Sequence, residues 1–192
     1  HERGAVSVRE IVTECARLRD RFGGPDYLTL YSFSIENWRR PADEVSFLME
    51  MYIRYLQSER ETMLKNNIKF NQIGRLENLP ETVLDEVQTT LDVTSKHTGL
   101  TLTLALNYGS RAEITDAVRE IGKKVDAGEI DWRNIDEQTI QRHLYTHNMP
   151  DVDLLIRTAG EMRVSNYLLW QISYAELHVT DRLWPDFSVS DL

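Results

Sequence analysis

Short runs of β-forming residues alternate with helix-periodic stretches along nearly all 192 residues. Segments 27–33, 68–73, 100–106, 152–156 and 175–179 are rich in β-branched, leucine and aromatic residues and read as strands. Between and before them, 8–22, 43–66, 80–96 and 112–127 carry apolar residues at three- and four-residue spacing, the signature of an amphipathic helix. Shorter helices are predicted over 136–143 and 167–172. Alternation of strand and helix along the chain is the pattern of a mostly parallel sheet. The chain is therefore predicted to be α/β, with a mostly parallel central sheet flanked by helices, and residues 1–192 form one domain. Ser7 and Glu10 have the spacing of a capping box for the first helix. Ser165 or Asn166 can cap the helix predicted at 167–172.

Composition narrows the functional classes. The chain is 41% hydrophobic and 28% charged, enough apolar material for a core. Its formal net charge of -9 lacks the basic excess of a nucleic-acid binder. Cys15 is the only cysteine, so neither an internal disulfide nor a cysteine-rich zinc site can form, and a reducing, cytoplasmic setting is expected. No run of 18 apolar residues offers a membrane span, and no signal peptide is visible. His143 and His147 stand four apart without the intervening glutamate of a metalloprotease helix. No Walker loop or G-x-G-x-x-G fingerprint occurs.

Ligands of open parallel α/β sheets bind beyond the carboxyl ends of the strands. The unusual polar residues fall there: Ser34, Glu36, Asn37, Trp38 and Arg40 after the first strand, Asn107, Gly109 and Arg111 after the third, and Arg157, Gly160, Glu161, Arg163 and Ser165 after the fourth. Arginine's planar fork suits phosphate oxygens, Gly160 lets backbone approach, and a helix start at 167 would add free N–H groups. Any one of these arginines could equally serve a surface salt bridge; the cluster points to an anion such as a diphosphate. Glu176 lies among apolar neighbours, where a carboxylate needs a partner. A buried Glu–Arg pair and a magnesium ligand beside a diphosphate both answer that need.

These residues carry a family pattern. Ser34-Ile35-Glu36-Asn37-Trp38-Arg39-Arg40-Pro41 resembles the S-x-E-N-W-x-R-P motif of cis-prenyltransferases, a family that includes bacterial undecaprenyl diphosphate synthases. The stretch from Arg157 to Asn166 resembles R-T-G-G-E-x-R-x-S-N, and Asn107-Tyr108-Gly109-Ser110-Arg111 resembles N-Y-G-G-R. Tyr174-Ala175-Glu176-Leu177 and Leu183-Trp184-Pro185-Asp186-Phe187 match Y-A-E-L and L-W-P-D-F. The motifs occur in order over essentially the whole chain.

The resemblance implies condensation of isopentenyl diphosphate in cis onto an allylic diphosphate such as farnesyl diphosphate, giving a long polyprenyl diphosphate of the undecaprenyl type. It implies an isopentenyl diphosphate site at Arg157, Arg163 and Ser165, an allylic diphosphate site at Arg40 and His1, and a further substrate contact at Val164. Ser34, Glu36 and Trp38 would line the substrate region near the reacting carbons, with Ile35 a further substrate-binding residue. Asn37 matches a residue assigned to proton removal, although a neutral amide is better suited to orienting groups. Glu176 matches a carboxylate near Mg²⁺, the expected cofactor. A homodimer is implied, as is a hydrophobic tunnel between sheet and helices, walled by the 43–66 helix and with Leu100 a candidate for its floor.

Two departures accompany the match. The family's first strand and D-G-N-x-R-W loop are expected ahead of His1, and a tail after Leu192, so residues 1–192 by themselves are expected to be inactive. Ala159 replaces the usual glycine, a restriction if that position needs a positive φ. The rival readings are a non-catalytic partner subunit of the same fold and a generic phosphate-binding α/β protein.

Overall fold

A computed structural model describes residues 2–192. The helices are Glu2–Phe22 (α1), Ala42–Lys65 (α2), Glu81–Thr94 (α3), Ser110–Asp126 (α4) and Glu137–Gln141 (α5). The strands are Tyr27–Ser34 (β1), Lys69–Ile73 (β2), Thr101–Tyr108 (β3), Leu154–Arg157 (β4) and Glu176–Val179 (β5). Every pairing among them is parallel, and each is reached through the long crossover that parallel pairing needs.

β3 is the centre of the molecule. It pairs with β1 on one side and β2 on the other, and seven of its eight residues are buried. Alternate side chains serve opposite faces. Leu102, Leu104 and Leu106 join Ile11, Val12, Leu56, Phe70 and Val83 in the core beneath α1, α2 and α3. Ala105 and Tyr108 join Tyr167 and Leu168 on the other face. α2 contributes Val45, Met49, Tyr52, Leu56 and Met63, a stripe at helical spacing.

Three expectations need correction. The strands form a three-stranded sheet, β1-β3-β2, and a separate two-stranded sheet, β4-β5, rather than one. Among the described residues, β1 and β4 each have a strand neighbour on one side only. The first helix begins at Glu2, so Ser7 lies inside it; instead of capping, its hydroxyl donates to the Pro185 carbonyl at 3.1 Å, pinning α1 to the carboxyl-terminal segment. Residues 167–172 form consecutive turns, not a helix, because Ser165, Asn166 and Leu168 all have positive φ. The N–H groups expected from a helix start there are not presented.

A cavity of about 1210 Å³ lies between the two sheets and under α1 and α2. Every residue from Tyr27 to Phe33 lines it. Since neighbouring residues on a strand point to opposite faces, the cavity runs along the edge of β1 and does not merely lie over one face. Residues 149–158 line it from the β4 side, and Leu48, Met49, Met51, Tyr52 and Tyr55 from α2. The 43–66 helix is thus a wall, as expected. Leu100 is buried in the core and is not among the lining residues.

Candidate active site

The carboxyl ends of β1, β3 and β4 lead into loops that hydrogen bonds tie together. After β1 the chain makes a short 3-10 turn over Ile35–Arg39. Its start is closed by Asn37, whose Oδ1 accepts from the Ser34 backbone N–H at 2.9 Å. Asn37 therefore has its amide oxygen committed to the backbone, and its NH₂ remains as the group to offer outward. Trp38 stacks edge-on against Phe33 at 5.2 Å and donates its indole N–H to Asn107 Oδ1 at 2.7 Å. Asn107, at the end of β3 with φ 51, donates in turn to the carbonyls of Arg75 and Glu77, both at 3.0 Å. It thereby fixes the indole against the sheet.

Glu36 is exposed and accepts from Asn166 Nδ2 at 2.9 Å. Desolvation is the largest single influence on its carboxyl and raises the pKa. Hydrogen bonds from Asn166, its own backbone and Ser34, together with Arg39, outweigh that and hold it below the ordinary carboxylate range. Glu36 also acts on Tyr31: burial first, then that nearby charge, pushes the phenol up to about 12.

The three arginines differ. Arg40 is exposed and pairs with Glu44 at 2.5 Å, and Arg163 is exposed and pairs with Glu161. For these two the salt-bridge reading holds in this structure, though such exposed pairs are weak and a diphosphate would displace them readily. Arg157 is only partly exposed, lines the cavity, and buries an Nε–H that makes no hydrogen bond. A buried unpaired donor is costly, so this guanidinium is primed for an anion. Val164 lines the same cavity, while Ser165 is exposed at the loop surface. Ala159 has φ 66, the positive φ that the glycine of the resembling motif would favour. Its N–H and that of Gly160 are held by the carbonyls of Arg182 and Thr180 at 2.7 and 2.9 Å.

Glu176 departs from expectation. It is exposed, so the argument from burial among apolar residues does not apply. It pairs with Leu154 and opens β5, three positions before the pair Arg157–Val179. That puts it roughly 10 Å along the strand from the arginine end. Among the described residues no group of three or more acidic, histidine or cysteine side chains could hold a metal. A lone exposed carboxylate fits Mg²⁺ only as an ion shared with a phosphate ligand. His1 lies outside the described residues. Cys15 is a core residue lining the cavity, with its thiol pushed by burial up to about 11.

The sequence reading did not find Asn166 as a tie between loops, or the buried carboxylate of Glu113. Glu113 accepts from the Tyr108 hydroxyl at 2.5 Å, the Tyr145 N–H at 2.9 Å and Gln171 Nε2 at 3.1 Å. The periodicity of α4 carries a signal for it: Ser110, Glu113, Ala117 and Ile121 form one buried stripe.

The whole chain, residues 1–192, matches a prenyltransferase family model described as "Putative undecaprenyl diphosphate synthase". An isoprenyl transferase of Fusobacterium nucleatum is 46% identical over 192 residues, covering 100% of this chain and 78% of that protein. The Escherichia coli K12 ditrans,polycis-undecaprenyl-diphosphate synthase, (2E,6E)-farnesyl-diphosphate specific, is 44% identical over 191 residues, covering 100% of this chain and 74% of the enzyme. Among solved structures, lavandulyl diphosphate synthase from Lavandula x intermedia in complex with dimethylallyl diphosphate superposes with a TM-score of 0.94 at 35% identity, over 100% of this chain and 80% of that one. A probable undecaprenyl diphosphate synthase from Campylobacter jejuni superposes with a TM-score of 0.83 at 30% identity, over 98% and 84%.

Proposed function

The chain belongs to the undecaprenyl diphosphate synthase family of prenyltransferases, and from that premise we propose that it condenses isopentenyl diphosphate in cis onto an allylic diphosphate such as farnesyl diphosphate. The observation that carries the reading is an apolar cavity lined by the unpaired guanidinium of Arg157. Such a site suits an amphiphile with an anionic head and a hydrocarbon tail.

In this reading Arg157, Arg163 and Ser165 hold the isopentenyl diphosphate, with Val164 against its carbon chain. Arg40, with His1, holds the allylic diphosphate. The double bond of the isopentenyl unit attacks the allylic carbon, and the carbon–oxygen bond to the allylic diphosphate breaks. The isopentenyl unit then loses a proton to form the cis double bond, and a diphosphate oxygen accepts it. Asn37, a neutral amide, is too weak a base to take that proton; with its Oδ1 accepting the Ser34 N–H, its NH₂ is turned to orient an oxygen of the substrate. Ser34, Ile35, Glu36 and Trp38 border the reacting carbons, and the growing chain enters the cavity along α2. The product is of the undecaprenyl type.

Magnesium dependence belongs to the same proposal. Because Glu176 lies roughly 10 Å along the strand from this chain's Arg157, it would hold the ion jointly with diphosphate oxygens at the site of a second copy of the chain, and the ion would supply charge neutralisation for the leaving group there. The facing edges of β1 and β4, with the cavity between them, fit an inserted strand. We assign that place to the family's first strand, with its D-G-N-x-R-W loop, ahead of His1. The exposed β5 face is assigned to a second copy of the chain in a homodimer. No described helix is long and apolar enough to cross a membrane, and a cytoplasmic location is proposed.

The test incubates the protein, with its preceding segment, with Mg²⁺, farnesyl diphosphate and labelled isopentenyl diphosphate. Long Z-prenyl products are expected. Arg157→Ala and Arg163→Ala should each lower kcat/KM at least about tenfold, as loss of a charge-assisted phosphate contact requires. No incorporation from several primers by folded protein would overturn the reading and favour a non-catalytic partner subunit.

A further inference from the structure

Asn166 ties together loops that follow two different strands. Its Nδ2 donates to Glu36 Oε1 at 2.9 Å, and its Oδ1 accepts from the Arg111 N–H at 2.9 Å. Its own carbonyl accepts from the Ser110 N–H at 2.8 Å. The orientation of the amide is dictated by its partners: a carboxylate accepts only, and a backbone N–H donates only. One residue thus joins the loop after β1, the start of α4 and the loop after β4. The surroundings are shaped for it. A Cβ on Gly109 would come within 2.8 Å of Asn166 Nδ2, although Gly109 has an ordinary extended backbone, so glycine here keeps room for the amide. Asn166 itself has φ 59, which asparagine tolerates better than most residues.

We propose that Asn166 is a positioning residue for the condensation, holding the Glu36 carboxylate in place and locking Ser165, its chain neighbour, against the start of α4. The inference rests on the proposed function in placing Glu36 and Ser165 at the substrate. An aspartate at 166 separates the two halves of the role. It still accepts from the Arg111 N–H and suits the positive end of α4, but it cannot donate to Glu36 and sets a second negative charge beside it. The other ionisable groups that act on Glu36 are Arg39 on its own turn and Tyr31 on β1. Arg111 meets Asn166 through its backbone.

The experiment uses the protein with its preceding segment and compares Asn166→Asp and Asn166→Ala with the parent. Carboxylate ¹³C NMR follows the titration of Glu36, assigned by its loss in Glu36→Gln. Initial rates across pH give kcat and KM for both diphosphates. In Asn166→Asp, melting temperature is retained, the Glu36 midpoint moves up, and the acid limb of the rate profile moves to higher pH with it. kcat falls by about tenfold, as expected for losing a hydrogen bond to a charged group. Asn166→Ala shows the same upward shift with lower stability. An unmoved Glu36 midpoint in either folded variant overturns the proposal. If the parent incorporates no isopentenyl diphosphate, the proposed function fails instead, and the NMR titration still decides whether Asn166 governs Glu36.

Discussion

Ala159 and Glu113 are both residues whose surroundings oppose what their side chains prefer. Ala159 has φ 66, a region that costs an L-residue roughly 1–2 kcal/mol. Glycine removes that cost but loses about 0.4–1 kcal/mol more entropy on folding. Ala159→Gly should therefore stabilise the protein by about 0.5 kcal/mol, raising the melting temperature by about 1–2 °C in a calorimetric scan. Glu113 is fully buried, and desolvation, only partly offset by the hydrogen bonds of Tyr108, Gln171 and the Tyr145 backbone, raises its pKa. A carboxyl whose folded pKa is raised contributes stability below its unfolded value near 4.5 and loses it as pH rises through the folded value. Glu113→Gln, a neutral mimic of the protonated acid, should therefore compare progressively better with the parent as pH rises from about 4. Urea midpoints at several pH values check this; a constant difference between the two proteins would mean the carboxyl is not shifted.

At the scale of elements, β1 is the sensitive piece. It pairs with β3 alone, and the Tyr167 hydroxyl reaches the Thr29 carbonyl on its backbone at 3.1 Å. A strand bordering a cavity leaves backbone groups that need partners. In the protein that includes a segment ahead of His1, amides of Tyr27–Phe33 that point away from β3 should exchange slowly with solvent. In residues 1–192 alone they should exchange fast, while β3 stays protected in both. Equal exchange in the two proteins would rule out strand insertion. All five strands and four long helices were legible in the sequence because each is a period-two or period-3.6 pattern with turn residues at its ends. The division into two sheets was not, since periodicity carries no pairing partner. The turns at 167–172 were missed for a related reason: the apolar run Tyr167–Leu168–Leu169 suits a helix, but left-handed residues at 165, 166 and 168 break it. The motif residues were legible as a cluster. What tied them, the Trp38–Asn107 and Glu36–Asn166 bonds, joins positions 69 and 130 residues apart and has no local signature.

For the whole molecule, the odd feature is a parallel strand pair left bare. Parallel sheets are normally covered on both faces, yet all four residues of β5 are exposed. Leu177 is 62% exposed, and Leu154, Val179 and Leu183 are exposed with it; Tyr174, just before the strand, is 98% exposed. Apolar groups so arranged form a patch that a protein surface ordinarily covers. A second copy of the chain is the occupant proposed here, and its symmetry would bring the same patch to itself. It would also place Glu176, which opens the same strand, beside the partner chain. Sedimentation velocity at about 10 µM should show a dimer, and a carboxylate placed in such a patch by Leu177→Asp should shift it to monomer, since an unpaired buried charge is strongly disfavoured. Because Leu177 lies beside Glu176 but outside the Arg157 cavity, the variant also separates assembly from substrate binding. Lost incorporation with retained farnesyl diphosphate binding would mean that the dimer completes the site. A parent that sediments as a monomer would remove the homodimer from the account.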